Sequence, residues 1–269
     1  MTKILVLPDV QAKLGIDFTF LTRIGTYMVE KKPDVVICIG DFADMPSLSS
    51  YDKGKRSFEG RRVKADIEAA KDAMCAFLTP LWEYNDQQIK SKHKPYKPRM
   101  IMLLGNHENR INKATNDSSE LEGLLNVDML GYAEDGWEVY PFLEVVDVLG
   151  VAFSHYFCTG VMARPASSAQ AQLNKKHQSC VAGHQQGLQI ASAYRADGSM
   201  LISIIAGSCY EHQEDYLGPQ ANKHWRGFLV LHDVHDGQFD PMFVSLKYIN
   251  EKYKDVKLGE YVRVTRNLD

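Results

Sequence analysis

Nowhere in this chain of 269 residues do 18 apolar residues run together, so no helical membrane span is expected. The N-terminal apolar run from Ile4 to Pro8 stops at Asp9, too short for the core of a signal peptide. Cysteine is sparse. The five residues Cys38, Cys75, Cys158, Cys180 and Cys209 are odd in number, scattered, and include no Cys-x-x-Cys pair. That pattern argues against a disulfide framework and for reduced, buried thiols, which points to a cytoplasmic location with no membrane partner. Neither sign of charge dominates: the formal net charge is −3, so no global basic field advertises nucleic acid or an anionic surface. Internal repeats, low-complexity stretches and flexible linkers are missing too. With 45% hydrophobic residues the chain can bury a large core, and one domain spanning residues 1–269 is expected.

What the chain does contain is a series of short apolar runs that end in polar turns. Lys3 to Leu7 reads as a strand followed by Pro8-Asp9-Val10-Gln11. Asp17 to Lys32 reads as a helix, with Phe20, Ile24 and Met28 on one face and Pro33 closing it. Asp34 to Ile39 is a second strand that runs into Gly40-Asp41-Phe42-Ala43-Asp44. Strand, helix and strand in succession form a βαβ unit, which implies parallel pairing through a right-handed crossover. After a polar loop from Met45 to Gly60, Val63, Ile67, Ala70, Met74, Phe77 and Leu81 recur at helical spacing. Pro80 is expected to kink or restart that helix, because it lacks an N–H and clashes with the preceding turn. Met100 to Leu104 forms the third strand and delivers Gly105-Asn106-His107-Glu108, and a short helix is expected over Ser118 to Asn126. Beyond Trp137 the segments are short and β-rich, starting with a hairpin from Leu143 to Ser154, and only Ser167 to Lys176 reads as helix.

The strand ends carry side chains that bind cations: Asp9 and Gln11, Asp41 and Asp44, Asn106 and His107, then Ser154-His155 and Gly183-His184-Gln185-Gln186. Carboxylates, imidazoles and carboxamides converging from strand ends suit a divalent cation, and open α/β sheets place their sites at those ends. The order Asp-x-Gln, Gly-Asp-x-x-Asp, Gly-Asn-His-Glu, lone His, Gly-His-x-Gln resembles the calcineurin-like metallophosphoesterase family over residues 9 to 186. That family has Asp-x-His and Gly-His-x-His at the first and last positions. The resemblance implies an α/β fold, a four-layer α/β/β/α sandwich of two packed mixed β-sheets flanked by helices. It also implies a metal-dependent phosphoric ester hydrolase with two divalent metal ions.

Carried over by motif, Asp41 would bridge the two metals. Asn106, His155 and His184 would complete one site, and Asp9, Gln11 and Gln186 the other. His107 would stand beside the scissile phosphate as general acid or oxyanion stabiliser, oriented by Asp44. Arg110 and Asn106 would contact the substrate phosphate. Two cations about 3.5–4 Å apart can hold a hydroxide between them and neutralise phosphate charge. An imidazole of near-neutral pKa is suited to assist the leaving oxygen.

Both departures from the family pattern, Gln11 and Gln186, fall in the same metal site. With their amide carbonyls turned inward, that site offers only oxygen donors, which favour Mg²⁺, Mn²⁺ or Ca²⁺ over Zn²⁺. Mn²⁺ is the foremost expectation, with Mg²⁺, Zn²⁺, Fe and Ni as alternatives. The contrary expectation is a partly dismantled site holding one metal or none. A basic loop (Lys53, Lys55, Arg56, Arg61, Arg62, Lys64) and an aromatic segment (Tyr210, His212, Asp215, Tyr216, His224, Trp225) add candidates for contacting a polyanion or a base. The expected function is therefore phosphodiester hydrolysis of nucleic acid or nucleotides. A phosphomonoesterase acting on protein or small molecules is one alternative, and a catalytically weakened binding scaffold of the same fold is another. Met45-Pro46-Ser47 follows Asp44 where the protein-phosphatase branch carries Asp-Arg-Gly, which counts against that branch.

Overall fold

The computed structural model describes residues 1–55, 58–213 and 224–257. Its strands are, in chain order, β1 (Thr2–Leu7), β2 (Val35–Cys38), β3 (Arg99–Leu103), β4 (Glu138–Tyr140), β5 (Val146–Val148), β6 (Val151–Phe153), β7 (Cys180–Ala182), β8 (Leu188–Tyr194), β9 (Met200–Ala206), β10 (Gly227–His235) and β11 (Gln238–Ser245). The helices are α1 (Thr19–Lys31), α2 (Val63–Lys90), α3 (Asn109–Asp117), α4 (Ala169–Lys176) and α5 (Leu246–Lys252). One six-stranded sheet has the order β11-β10-β1-β2-β3-β4, and a five-stranded sheet has the order β5-β6-β7-β9-β8. In the first sheet β1, β2, β3 and β4 are parallel. In the second, β6, β7 and β9 are parallel.

The alternation of side chains along a strand explains why these layers stack. Ile4 and Val6 of β1, Ile37 of β2 and Ile101 of β3 join Val151, Phe153, Val181 and Ile204 in a cluster between the two sheets. Leu5, Leu7, Val36, Cys38 and Met102 point to the opposite face and pack with Phe20, Ile24, Met74 and Phe77 of α1 and α2. Strands buried on both faces read as unbroken apolar runs, which is how β1 to β3 stand in the sequence. On the outer face of the second sheet, Ala169 and Leu173 of α4 pack against Ala191, Leu201 and Ile205. The result is the expected order of layers: helices, sheet, sheet, helix.

Four expectations need adjusting. Pro80 neither ends nor restarts the helix, since α2 runs unbroken from Val63 to Lys90. Thr79 Oγ1 donates to the Cys75 carbonyl in that turn, and α1 lies close against it. The helix expected over Ser118 to Asn126 forms earlier, as α3, directly after His107 and Glu108, and only a short 3₁₀ turn occupies Ser119–Leu121. The three-residue strand β4 is too short to announce itself by periodicity. In the second half α5 is an additional helix; its Ser245 N-cap accepts from the Tyr248 N–H.

The crossing of α1 over α2 depends on Gly25. A Cβ at that position would stand 2.1 Å from the Phe77 carbonyl oxygen and 3.2 Å from Pro80 Cδ. Replacing Gly25→Ala therefore forces the helices apart, and a loss of about 1–3 kcal/mol is expected. Urea titration followed by circular dichroism measures it; an unchanged midpoint would contradict the close crossing.

Candidate metal centre

Each candidate ligand sits just beyond the carboxyl end of a parallel strand. Asp9 and Gln11 follow β1, Asp41 follows β2, and Asn106 and His107 follow β3. His155 follows β6, and His184 and Gln186 follow β7. Because the two sheets pack face to face, these ends meet along one edge. Backbone bonds join the turns. The Gln11 N–H donates to the Asp41 carbonyl (2.8 Å), the Asp44 N–H to the Ala12 carbonyl (3.0 Å), and the Cys209 N–H to the Asp9 carbonyl (2.9 Å). Gln11, Asp41, His184 and Gln186 all have positive φ, between 49° and 67°. For non-glycine residues this left-handed conformation costs roughly 1–3 kcal/mol each and persists only where the surroundings enforce it.

Three of the candidate side chains converge. Asp41, His155 and His184 each offer a ligand atom within 4.8 Å of the others. His155 Nδ1 lies 2.9 Å from the Ile39 carbonyl, which orients the ring and turns Nε2 inward, 2.9 Å from Asn106 Oδ1 and 3.4 Å from Asp41 Oδ2. A backbone acceptor behind the ring is how metal-binding histidines are held. Asp9 accepts the His184 N–H on Oδ1 (3.0 Å), while its Oδ2 is buried and has no hydrogen-bond partner among the described residues. The same holds for Gln11 Nε2; turning that amide over would place its carbonyl oxygen there instead. A fully buried carboxylate oxygen close enough to feel the charges of Asp41 and His155, with a buried amide two residues on, is the kind of donor set a divalent cation satisfies.

His107 stands apart from this set. Its backbone N–H donates to Asp41 Oδ1 (2.9 Å), its Nδ1 lies 2.9 Å from Asp44 Oδ1, and its Nε2 is 3.8 Å from Asp41 Oδ2. Lys13 Nζ is 3.4 Å from Asp44 Oδ2. Arg110 Nη1 donates to the carbonyls of Asp44 (2.8 Å) and Met45 (3.3 Å) and lies 3.6 Å from Asp44 Oδ1. The Arg110 nitrogen is thus engaged in holding the turn that presents Asp44.

The electrostatics follow from burial and charge. Burial and the neighbouring Asp41 charge push Asp9 up to about 7. Burial also works to raise Asp41, but His107 and His155 hold it below the usual carboxylate range. For His155 desolvation acts downward and is outweighed by Asp41, so the imidazole is held at about 9. His184, desolvated and facing His155, falls to about 4 and stays neutral. His107 is raised: burial opposes its charge, but Asp41 and the bond to Asp44 prevail.

Three residues escaped the sequence reading. Glu108, fully buried, accepts backbone N–H bonds from Asp41 (3.1 Å), Ala43 (2.8 Å) and Gly105 (2.9 Å). The only sequence clue was a carboxylate directly after a ligand pair. Gly105 leaves room for this arrangement, since a Cβ there would stand 2.0 Å from Asp41 Oδ1. Lys13 carried no signal beyond its place two residues after Gln11. Tyr156 packs its ring 4.8 Å from that of His184, and only its position next to His155 could have marked it.

Tyr210, a candidate for stacking on a base, is instead fully buried, and its hydroxyl donates to Gln186 Oε1 (2.8 Å) while lying 2.7 Å from His224 Nδ1. Within the basic loop, Lys55 and Arg61 pair with Asp52 at 3.0 and 2.8 Å. Arg56, Asp215 and Tyr216 lie outside the described residues.

Comparison with known proteins bears on the family. The profile of the family described as calcineurin-like phosphoesterase matches residues 2–163. The Gene 54 protein of Mycobacterium phage L5 is 25% identical over 240 residues, covering 88% of this chain and 90% of that protein. Among solved structures, a dimetal phosphatase from Danio rerio aligns at 11% identity and a TM-score of 0.44, covering 91% of this chain and 96% of the other. Yfce, a phosphoesterase from E. coli, aligns at 11% identity and a TM-score of 0.36, covering 91% and 100%.

Two outcomes are expected of metal titrations. At pH 7 the metal-free site holds protons on His155 and partly on Asp9, at about 9 and about 7. A cation must displace them, so Mn²⁺ uptake should release about one proton or more, and affinity should fall as pH drops from 8 to 6. Calorimetry in buffers of different ionisation enthalpy reads the release; an affinity independent of pH would contradict it. Separately, Tyr210→Phe removes the donor that fixes Gln186, and Mn²⁺ binding should weaken about tenfold or more. Adding Gln186→His should restore it, because an imidazole binds through a ring nitrogen and has no amide to be oriented. No weakening in the single variant would detach Tyr210 from the metal centre.

Proposed function

Since the chain belongs to the calcineurin-like phosphoesterase family, a class of metal-dependent phosphoric ester hydrolases, we propose that it acts on a phosphodiester in nucleic acid or a nucleotide. The observation that carries this choice is the pairing of both cations beside His107. Lys13 and Arg110 each lean on Asp44, at 3.4 and 3.6 Å. A monoester brings close to two negative charges at neutral pH and a diester brings one. With both neighbouring cations already facing a carboxylate, the surroundings of His107 suit the singly charged ester.

The proposed centre assigns Asp41, Asn106, His155 and His184 to one divalent cation, and Asp9, Gln11, Asp41 and Gln186 to the other. When bound, such a pair supplies Lewis-acid neutralisation of phosphate charge and acidifies water. The oxygen-rich second set supports Mn²⁺ as the working ion over Zn²⁺.

In this reading Asp44, with Oδ1 2.9 Å from His107 Nδ1, holds the ring in place by charge. Nε2, the ring nitrogen turned away from Asp44, is then the atom that carries the proton passed to the leaving oxygen. Arg110 would contact the phosphate with the edge of its guanidinium away from the Asp44 and Met45 carbonyls, and Asn106 would do so from its place beside His155. That β10 and β11 complete the sheet begun by β1 to β3 supports reading residues 1–269 as one domain.

The test is turnover of bis(4-nitrophenyl) phosphate against 4-nitrophenyl phosphate by the Mn²⁺-loaded protein. The diester should be preferred about tenfold or more in kcat/KM, and His107→Ala should lower its turnover about 10²–10⁴-fold. A preference for the monoester would reassign the protein as a phosphomonoesterase. Metal bound without turnover of either ester would leave the scaffold reading.

A further inference from the structure

Beside the metal centre the surface opens into a groove of about 870 Å³, within the range of roughly 300–1,000 Å³ typical of small-molecule sites. Lys13 and Phe18 line it from the segment between β1 and α1, and Arg62 and Lys64 line it from the start of α2. Lys13 belongs to both the groove and the site: its Nζ is 3.4 Å from Asp44 Oδ2, and the other Asp44 oxygen is 2.9 Å from His107 Nδ1. The start of α2 is tied to the same turn, with Arg61 Nη1 donating to the Pro46 carbonyl (2.9 Å) and the Ser47 N–H donating to Asp66 (2.8 Å).

Charge is segregated along the groove. Lys13, Arg62 and Lys64 stand at the end nearer Asp44, while Glu68 and Asp72 follow on the next turns of α2. At about 1.5 Å per residue, Asp72 lies about 12 Å beyond Lys64 along the helix axis. An anion is drawn to the first end and repelled from the second. Between them the lining is apolar, with buried Phe18 and Ala69 below and Leu14, 73% exposed, at the rim.

Resting on the phosphodiesterase reading, we infer that this groove holds the substrate beyond the scissile bond, with a nucleoside on its apolar floor and a second phosphate on Arg62 and Lys64. The preferred substrate is then an oligonucleotide, or a nucleotide diester carrying a further phosphate, rather than an isolated diester. Glu68 and Asp72 face the far end, where a carboxylate can accept from a base amino group or a sugar hydroxyl.

The test compares three thymidine dinucleotides on the Mn²⁺-loaded protein: one with a 5′-terminal phosphate, one with a 3′-terminal phosphate, and one with neither. One of the phosphorylated pair should be cleaved with a kcat/KM about tenfold above the unphosphorylated one, through a lower KM. In the surface double variant Arg62→Ala/Lys64→Ala that ratio should collapse to about one. Equal cleavage of all three, or a preference that survives the double substitution, overturns the inference. If no ester is cleaved, including bis(4-nitrophenyl) phosphate, it is the phosphodiesterase reading that fails. Anisotropy of a fluorescent phosphorylated dinucleotide then judges the groove by binding alone: weakening of about fivefold or more in the double variant upholds it, and an unchanged Kd overturns it.

Discussion

The Glu108 carboxylate holds together the turns on which everything else is mounted. It draws the backbone N–H groups of Gly105, Asp41 and Ala43 onto one buried anion, tying the end of β3 to the end of β2. Each of those donors would otherwise be buried without a partner, at about 1–3 kcal/mol apiece. Burial and the Asp41 charge push Glu108 upward, and the N–H groups of Ala43 and Gly105 oppose them. From the other side the His107 N–H grips Asp41 Oδ1. The carboxylate assigned to both metals is therefore fixed by its own backbone and by a neighbouring turn before any cation arrives.

Much of the fold was legible because its strongest elements are buried on both faces. β1, β2 and β3 leave unbroken apolar runs, and α1 and α2 leave clear helical periods. The elements that eluded reading are the ones whose stability comes from tertiary packing. β4 is three residues long and exists by pairing with β3. α3 is highly polar, with Ile111 its one buried residue, so its sequence shows no apolar face. Pro80 does not restart the helix as its missing N–H suggested, and α2 continues through it where α1 approaches at Gly25.

At the site, the candidates were picked out by their order along the chain, and of these the structure brings Asp41, His155 and His184 within 4.8 Å of one another. What could not be read was the support. Lys13, Glu108 and Tyr210 act through distances of about 3 Å to residues far away in sequence, and no spacing rule encodes such contacts. Tyr210 is the clearest instance. As a residue type it suggested a stacking surface, yet burial turns it into a hydrogen-bond donor for Gln186.

The left-handed backbone at Gln11, Asp41, His184 and Gln186 has one more consequence. At positions 11 and 186 the turns are held by main-chain bonds, the Gln11 N–H on the Asp41 carbonyl and the Gly187 N–H on the Gln185 carbonyl, which do not involve the side chain at either position. A histidine or a glutamine can occupy position 11 or 186 without rebuilding the loop that presents it. The frame and its donors are thus separable under selection: the frame resists drift, while the donors can be exchanged one codon at a time. A lineage carrying this scaffold could follow the metals available to it without ever passing through an unfolded ancestor.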